Sequence, residues 1–248
     1  MRRAAAALAF LAGACSTAPA GLGYASGDAG RRARGEEPVR YASPGRIVAA
    51  EIAFAQLARR KGQWTAFRET AADDAVMFVP QAVGARDWLR GRKDPPRAVS
   101  WAPHRVWMSC DGSLAATYGA WHGDAGRTGY FTTVWQRQKN GEYEWVMDQG
   151  DDLATPLQEP EMIGTAIASC EPLPPATLAA DPVPGNVRRG ASRDRTLAWT
   201  VRVDPSCGRI VELKLHEGTG KPMTTVLTKR VEPPNGKDGG APGSCGNT

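Results

Sequence analysis

The sequence predicts an α+β fold in which two helices pack against a curled antiparallel sheet to form an open cone, followed by a small β-rich extension. Between residues 43 and 73, apolar residues recur at the three- and four-residue spacing of helices. From residue 75 to residue 148 they fall instead in short runs separated by turn sequences, which is typical of a meander of strands. Helices followed by such a meander bury their apolar sides when the sheet curls over them.

Two helices open the predicted cone. Ser43 can cap the first helix, Pro44 fits its first turn, and Gly62 ends it. The second helix ends at Asp73-Asp74. The apolar sides of the two helices are predicted to carry Ile47, Ala50, Phe54 and Leu57 in the first and Trp64, Phe67 and Ala71 in the second.

The strands of the cone follow the helices. Pro80 ends the first strand, and the pairs Asp111-Gly112 and Asn140-Gly141 are typical of hairpin turns. One helical turn is expected at 87–90. The predicted strands are 75–79, 104–110, 113–121, 129–138 and 143–148.

The chain beyond the cone divides by composition. Residues 154–190 are rich in Pro and are predicted to form a linker. Residues 191–232 contain three apolar, strand-like runs and are predicted to form a three-stranded β extension, whose apolar side needs a partner surface. Residues 233–248 are rich in Gly and Pro, and we expect this tail to be disordered.

The start of the chain, residues 1–20, predicts export from a bacterial cytoplasm. Two arginines, an apolar run and then small residues follow the first Met, in the order of a signal peptide. Cys15 lies where the apolar run ends, in an imperfect lipobox, so we expect it to be lipidated and to anchor the protein to the outer membrane from the periplasmic side. Cleavage after Ala20 by the ordinary signal peptidase is the alternative. Residues 21–42 are predicted to be a flexible tether.

Four further cysteines suit disulfides in an oxidising compartment. The predicted pair is Cys170 with Cys207, which would pin the extension to the linker, and Cys245 competes for either. Cys110 precedes the Asp-Gly turn and is predicted to be a small buried thiol.

Charge and motifs exclude several classes of function. The formal net charge of +5 is too mild for a nucleic-acid-binding protein, which usually shows a basic stripe. His104, His122 and His216 are isolated from other ligands, so we expect neither a metal nor another cofactor. Nucleophilic catalysis is unsupported, because the chain has no Gly-x-Ser-x-Gly motif and no Cys beside a His.

Residues 62–67, 74–80 and 129–135 read GQWTAF, DAVMFVP and GYFTTVW. In these segments the chain resembles the nuclear-transport-factor-two-like superfamily, in its SnoaL-like branch of uncharacterised bacterial proteins. The resemblance covers about residues 43–153 and implies a cone-shaped, cystatin-like domain with a cavity between helices and sheet, often as a homodimer through the outer face of the sheet. It implies no single activity, because this fold hosts cyclases, isomerases, dehydratases and plain binding proteins.

Aromatic residues are the main clue to a ligand, since all but one of the eight Trp fall within the cone. Trp combines a large apolar area with one N–H donor, which favours a flat, apolar or aromatic ligand with a polar edge. Period-two alternation puts Tyr130 and Phe131 on opposite faces of their strand but does not say which face is inward. The residues predicted to line the cavity are Trp64, Phe67, Trp88, Trp101, Tyr118 and Tyr130.

Asp148 is the candidate catalytic residue. It closes the last strand of the cone, and the resemblance places it near the common acid position of the family, while Gln149 stands where many relatives carry a His. Burial would raise the pKa of such an acid toward neutrality, as proton shuttling at a carbon next to a carbonyl requires. The further polar candidates are Asp151, Asp152, His104 and His122, and both His are expected to be exposed.

Three functions follow, in the order in which the sequence favours them. The first is an envelope-anchored domain that binds a small apolar or aromatic molecule in the cone. The second is a SnoaL-like isomerase, cyclase or dehydratase that uses Asp148. The third is a protein-interaction domain with a vestigial cavity, which docks another envelope protein through its outer sheet or its extension.

Overall fold

A computed structural model of the protein describes residues 42–173, 184–218 and 220–233. The predicted signal peptide with Cys15 lies outside these ranges, as do the tether up to residue 41, most of the tail and Cys245.

Three helices form one layer of the first domain. They are α1 (Pro44–Lys61), α2 (Gln63–Thr70) and α3 (Ala85–Leu89), of which α3 is close to the predicted single turn. Pro44 occupies the first turn of α1 as predicted, whereas the Ser43 side chain makes no capping hydrogen bond. Gly62 separates α1 from α2 at a φ of 110°, a conformation that strains residues with a side chain.

A seven-stranded mixed sheet packs on the helices in the order β2-β1-β6-β5-β4-β3-β7. Its strands are β1 (Ala71–Phe78), β2 (Ala82–Gly84), β3 (Ser100–Met108), β4 (Leu114–His122), β5 (Thr128–Arg137), β6 (Tyr143–Asp152) and β7 (Gly164–Ile167). The five predicted strands correspond to β1, β3, β4, β5 and β6, so the α+β class is confirmed. Two pairings are parallel, namely β1 with β6 and β3 with β7. The prediction from the turn sequences, an antiparallel meander throughout, is wrong for these two pairs.

A four-stranded antiparallel sheet in the order β11-β10-β9-β8 follows. Its strands are β8 (Val187–Ala191), β9 (Leu197–Val203), β10 (Arg209–Leu215) and β11 (Thr224–Val231). The last three are the strands predicted for the extension, which therefore has four strands and not three. The additional strand, β8, reads VRRGA and has no apolar alternation to identify it.

The second sheet covers the outer face of the first, which is the face turned away from the helices. In β5, residues 128–135 are buried whichever face they point to. At one end of the contact, Cys110 N donates to Thr196 Oγ1 at 2.9 Å and Arg193 N donates to Ser113 Oγ at 2.9 Å. The face through which the resemblance implies a homodimer is thus occupied by the second sheet of the same chain.

The predicted disulfide between Cys170 and Cys207 is wrong, because Cys170 pairs with Cys110 at a Cα–Cα distance of 5.2 Å. Strand β7 causes this pairing: it runs beside β3, so the residues that follow the two strands come together. Cys110 is therefore not a free thiol, and Cys207 is also disulfide-bonded. A disulfide is consistent with an oxidising compartment. Within the described ranges, no helix has the length and apolar character needed to cross a membrane.

Candidate functional site

A cavity of about 520 Å³ lies between the helices and the inner face of the seven-stranded sheet. This volume is within the range of pockets that hold small ligands, about 300–1,000 Å³. Its apolar lining consists mainly of Phe54, Trp64, Phe67, Met77, Phe78, Trp101, Trp121 and Phe131. Its polar lining includes Gln63, Thr133, Asp148 and Gln149, with the exposed side chains of Arg97, Asp124 and Arg127.

The aromatic wall is held by edge-to-face and tilted ring contacts. The Phe54 ring lies 4.8 Å from that of Phe67 and 4.9 Å from that of Trp101, and the Trp64 ring lies 5.6 Å from Phe67. Such pairs each contribute about 0.5–1.5 kcal/mol beyond the area they bury. The wall is therefore ordered before any ligand enters.

Two glycines of β5 and β6 leave no space for a side chain in this wall, and Gly129 makes room for Trp121. A Cβ on Gly129 would overlap the Trp121 ring and the Asp151 carbonyl. A Cβ on Gly150 would lie 2.6 Å from the Tyr130 carbonyl oxygen and 3.6 Å from Trp121 Nε1. Side chains at these positions would displace strand β6 or the indole. The cavity wall at Gly150 is consequently formed by the backbone.

Three of the six residues predicted to line the cavity do so, namely Trp64, Phe67 and Trp101. Trp88 stands behind the wall, with its ring 5.2 Å from that of Trp64. Tyr118 and Tyr130 lie on the outer face of the sheet, where their rings are 5.9 Å apart and Lys229 of β11 lies over both. The alternation of β5 therefore turns Phe131 and Thr133 inward and Tyr130 outward, which the sequence period leaves open.

Asp148 faces the cavity from β6, next to Thr133 in the paired strand β5. Thr133 Oγ1 donates a hydrogen bond to Asp148 Oδ2 at 2.7 Å. Burial raises the pKa of Asp148 to about 7, and the negative charge of Glu51 adds to this, while the Thr133 bond and the positive charge of Arg209 oppose it. Near neutral pH the carboxyl group therefore exists in both protonation states and can donate to a carbonyl or accept from a hydroxyl.

Glu51 is a second buried acid, which the sequence analysis missed. Its side chain is fully buried, and it accepts hydrogen bonds from Trp101 Nε1 at 2.7 Å, Thr117 Oγ1 at 2.6 Å and Trp135 Nε1 at 3.0 Å. Burial raises the pKa of Glu51, and the three donors oppose this increase. A signal was present in the sequence, because Glu51 follows Ile47 by four residues and precedes Phe54 by three, and so interrupts the apolar side of α1.

The remaining polar candidates are absent from the cavity lining. His122 is exposed as predicted, whereas His104 is half-buried, and burial lowers its pKa. Asp152 forms an exposed ion pair with Arg127 at 3.0 Å. Burial raises the pKa of Asp151, whose strand neighbour Asp152 donates its backbone N–H to the Asp151 carboxylate. Within the described ranges, no three His, Cys, Asp or Glu side chains cluster as metal ligands.

Comparisons with known proteins give structural similarities only. No family model matches the sequence, and no curated protein matches it. A protein from Parabacteroides distasonis proposed to be a ketosteroid isomerase is 14% identical, with a TM-score of 0.37 over 44% of this chain and 89% of its own.

Two further solved structures are similar over the same share of the chain. A proposed aromatic ring hydroxylase from Novosphingobium aromaticivorans is 15% identical, with a TM-score of 0.32 over 45% of this chain and 91% of its own. A protein of unknown function with a cystatin-like fold from Methylobium petroleophilum is 11% identical, with a TM-score of 0.33 over 48% of this chain and 83% of its own. At these identities and TM-scores the similarities carry no activity over to this chain.

Proposed function

We propose that the cone binds a small, largely apolar molecule that contains a ring and presents one polar group to Asp148. The observation that carries this proposal is the cavity itself: about 520 Å³, walled by ordered aromatic rings, with the Asp148–Thr133 pair in the wall. Apolar walls with a few placed polar groups are the usual composition of small-molecule sites. The walls supply affinity, and the carboxyl group orients the ligand.

Binding can be tested with 2-tetralone, a bicyclic ketone, and tetralin, which has the same rings without the carbonyl. We expect 2-tetralone to quench Trp fluorescence, because Trp64, Trp101 and Trp121 line the cavity. Trp101→Ala should weaken binding by about 2 kcal/mol, or about 30-fold, because it removes a wall residue. Tyr118→Ala is the control truncation on the outer face of the sheet and should leave the affinity unchanged. Equal losses in both variants would contradict the proposal.

Acid–base catalysis is the second candidate, and it is favoured by the raised pKa of Asp148, about 7, in an apolar cavity. In such a reaction the Asp148 carboxylate takes a proton from the carbon next to a carbonyl. The electron pair of that C–H bond moves toward the carbonyl, the oxygen becomes an enolate, and return of a proton restores the ketone.

Exchange of the α-protons of 2-tetralone in D2O tests this second function, because a proton that Asp148 takes from the ketone can be replaced by deuterium from the solvent before a deuteron returns to the carbon. NMR should show exchange faster than in buffer, and Asp148→Asn should abolish the acceleration while the ketone still binds. If the wild-type protein exchanges the α-protons only at the buffer rate, the catalytic candidate fails and binding remains as the proposed function.

The interaction-domain alternative has less support. The cavity is not filled by the side chains around it, and the large exposed apolar residues in the described part of the chain are Ile52, Met162 and Ile167. An interaction surface of ordinary size would require a larger apolar patch.

A further inference from the structure

Arg209 links the second sheet to the cavity. It lies on β10 and is 5% exposed, between the second sheet and the outer face of the first. Its Nη2 donates to the Gly150 carbonyl oxygen at 2.6 Å, and its Nε and Nη2 approach Gln149 Oε1 at 3.4 Å. Its guanidinium also lies 5.7 Å from the centre of the Phe78 ring. Gln149, Gly150 and Phe78 all line the cavity.

Packing alone does not account for an arginine at this position. Its hydrogen bonds to described residues all go to neutral oxygens, so no contact ion pair offsets the desolvation of its charge. Burial accordingly lowers the pKa of Arg209, and the nearby Tyr130, Asp151 and Asp148 oppose this. A Met of similar length would fill the space between the sheets without burying a charge.

We propose that the second sheet is part of the cavity site. Arg209 is the positioning residue: it holds the Gln149–Gly150 wall by hydrogen bonds, and its positive charge attracts the Asp148 carboxylate from the outer side of the sheet. This inference rests on the proposed binding function. It gives the extension, which lies outside the cone, a direct role at the site.

The wall at Gly150 needs such support because it consists of backbone. No side chain of Gly150 packs there, and the hydrogen bond from Arg209 fixes the peptide from the side opposite the cavity. Asp148 lies two residues earlier on the same strand. The charged groups that act on it are Glu51 from α1, which raises its pKa, and Arg209 from β10, which lowers it.

The test compares three variants of the full chain: Arg209→Met, Arg209→Lys and Lys229→Met. Lys229→Met is the matched control, because it removes a cation that lies over Tyr118 and Tyr130 in the same sheet interface but touches no residue of the cavity wall. Two quantities are measured: the titration midpoint of the Asp148 carboxyl by carbon NMR, and the affinity for 2-tetralone by Trp fluorescence.

Arg209→Met should raise the Asp148 midpoint by about half a pH unit or more, because it removes an opposite charge. It should also weaken 2-tetralone binding about 3- to 10-fold, because the Gly150 peptide in the cavity wall loses its hydrogen bond from Arg209. Arg209→Lys keeps the charge without the planar fork, so the midpoint should stay near that of the wild type while the affinity falls. A role in stability alone would move neither quantity in the folded protein.

The inference is overturned if Arg209→Met matches Lys229→Met in both midpoint and affinity. If Arg209→Met does not fold, Arg209→Lys decides, and wild-type affinity in that variant overturns the inference. If the wild-type protein does not bind the ketone at all, the proposed function fails. A raised Asp148 midpoint in Arg209→Met would still support the action of Arg209 on the acid.

Discussion

Asp148→Asn should stabilise the protein at alkaline pH, because it removes the cost of burying a charge. The pKa of Asp148 rises from the ordinary value of 3.8 to about 7 on folding, so the folded state holds a proton that the unfolded state releases between these values. The free energy of unfolding of the wild type therefore falls as the pH rises through this window and then levels off. Three pKa units at 1.36 kcal/mol each correspond to about 4 kcal/mol.

Urea unfolding of the wild type and of Asp148→Asn at pH 4 and pH 8.5 measures this difference. Asn can still accept the hydrogen bond from Thr133, so the geometry of the pair is retained. We expect similar stabilities at pH 4 and a variant more stable by up to about 4 kcal/mol at pH 8.5. A stability difference that stays constant between these pH values would refute the assignment of Asp148 as a buried acid that titrates near neutrality.

Three further predictions follow from the same structure. Glu51→Gln should destabilise the protein by about 1–3 kcal/mol at neutral pH, since one amide oxygen cannot accept from three donors: either Trp101 Nε1 loses its acceptor, or Trp135 Nε1 keeps only Thr117 Oγ1 at 3.3 Å; urea unfolding measures this loss, and an unchanged indole N–H spectrum would contradict it. Cys110→Ser should cost about 4 kcal/mol, because the disulfide closes a separation of 60 residues; an equal midpoint of unfolding with and without the substitution would argue against the bond. Protein taken from native membranes should begin at an acylated Cys15, and an intact mass that starts at Gly21 without acyl groups would exclude the lipid anchor.

Helical periodicity and turn chemistry were sufficient to predict most of the first domain. The spacing of apolar residues in α1 and in most of α2, and the Asp111-Gly112 and Asn140-Gly141 turns, are local signals that tertiary contacts did not override. The predicted end of the second helix at Asp73-Asp74 is wrong, because the helix ends at Thr70 and Ala71 already pairs with Trp145 of β6 as part of β1. The sequence does not identify β7, because its pairing partner β3 lies about 60 residues earlier in the chain. It does not identify β8 either, although β8 pairs with the next strand β9, because VRRGA shows no apolar alternation.

The site was predicted less completely, because its geometry depends on orientation. Period-two alternation put Tyr130 and Phe131 on opposite faces, but only the placement of the helices shows that Phe131 faces the cavity. The Cys110–Cys170 bond depends on strand β7, which was predicted to be linker. Glu51 was identifiable in principle as an acid within an apolar helix side, whereas no sequence pattern connects Arg209 to Gly150.

The pH dependence of 2-tetralone affinity, measured beside that of tetralin, tests most directly whether the cone binds a ring-bearing molecule through Asp148. Protonated Asp148 can donate to the carbonyl, whereas the carboxylate repels it, so the ketone should bind about 10-fold more tightly at pH 5.5 than at pH 8.5, with a midpoint near 7. Tetralin should show a much weaker dependence, and Asp148→Asn should show none for either compound. A flat profile for the ketone in the wild type, or the same profile in Asp148→Asn, would contradict the account.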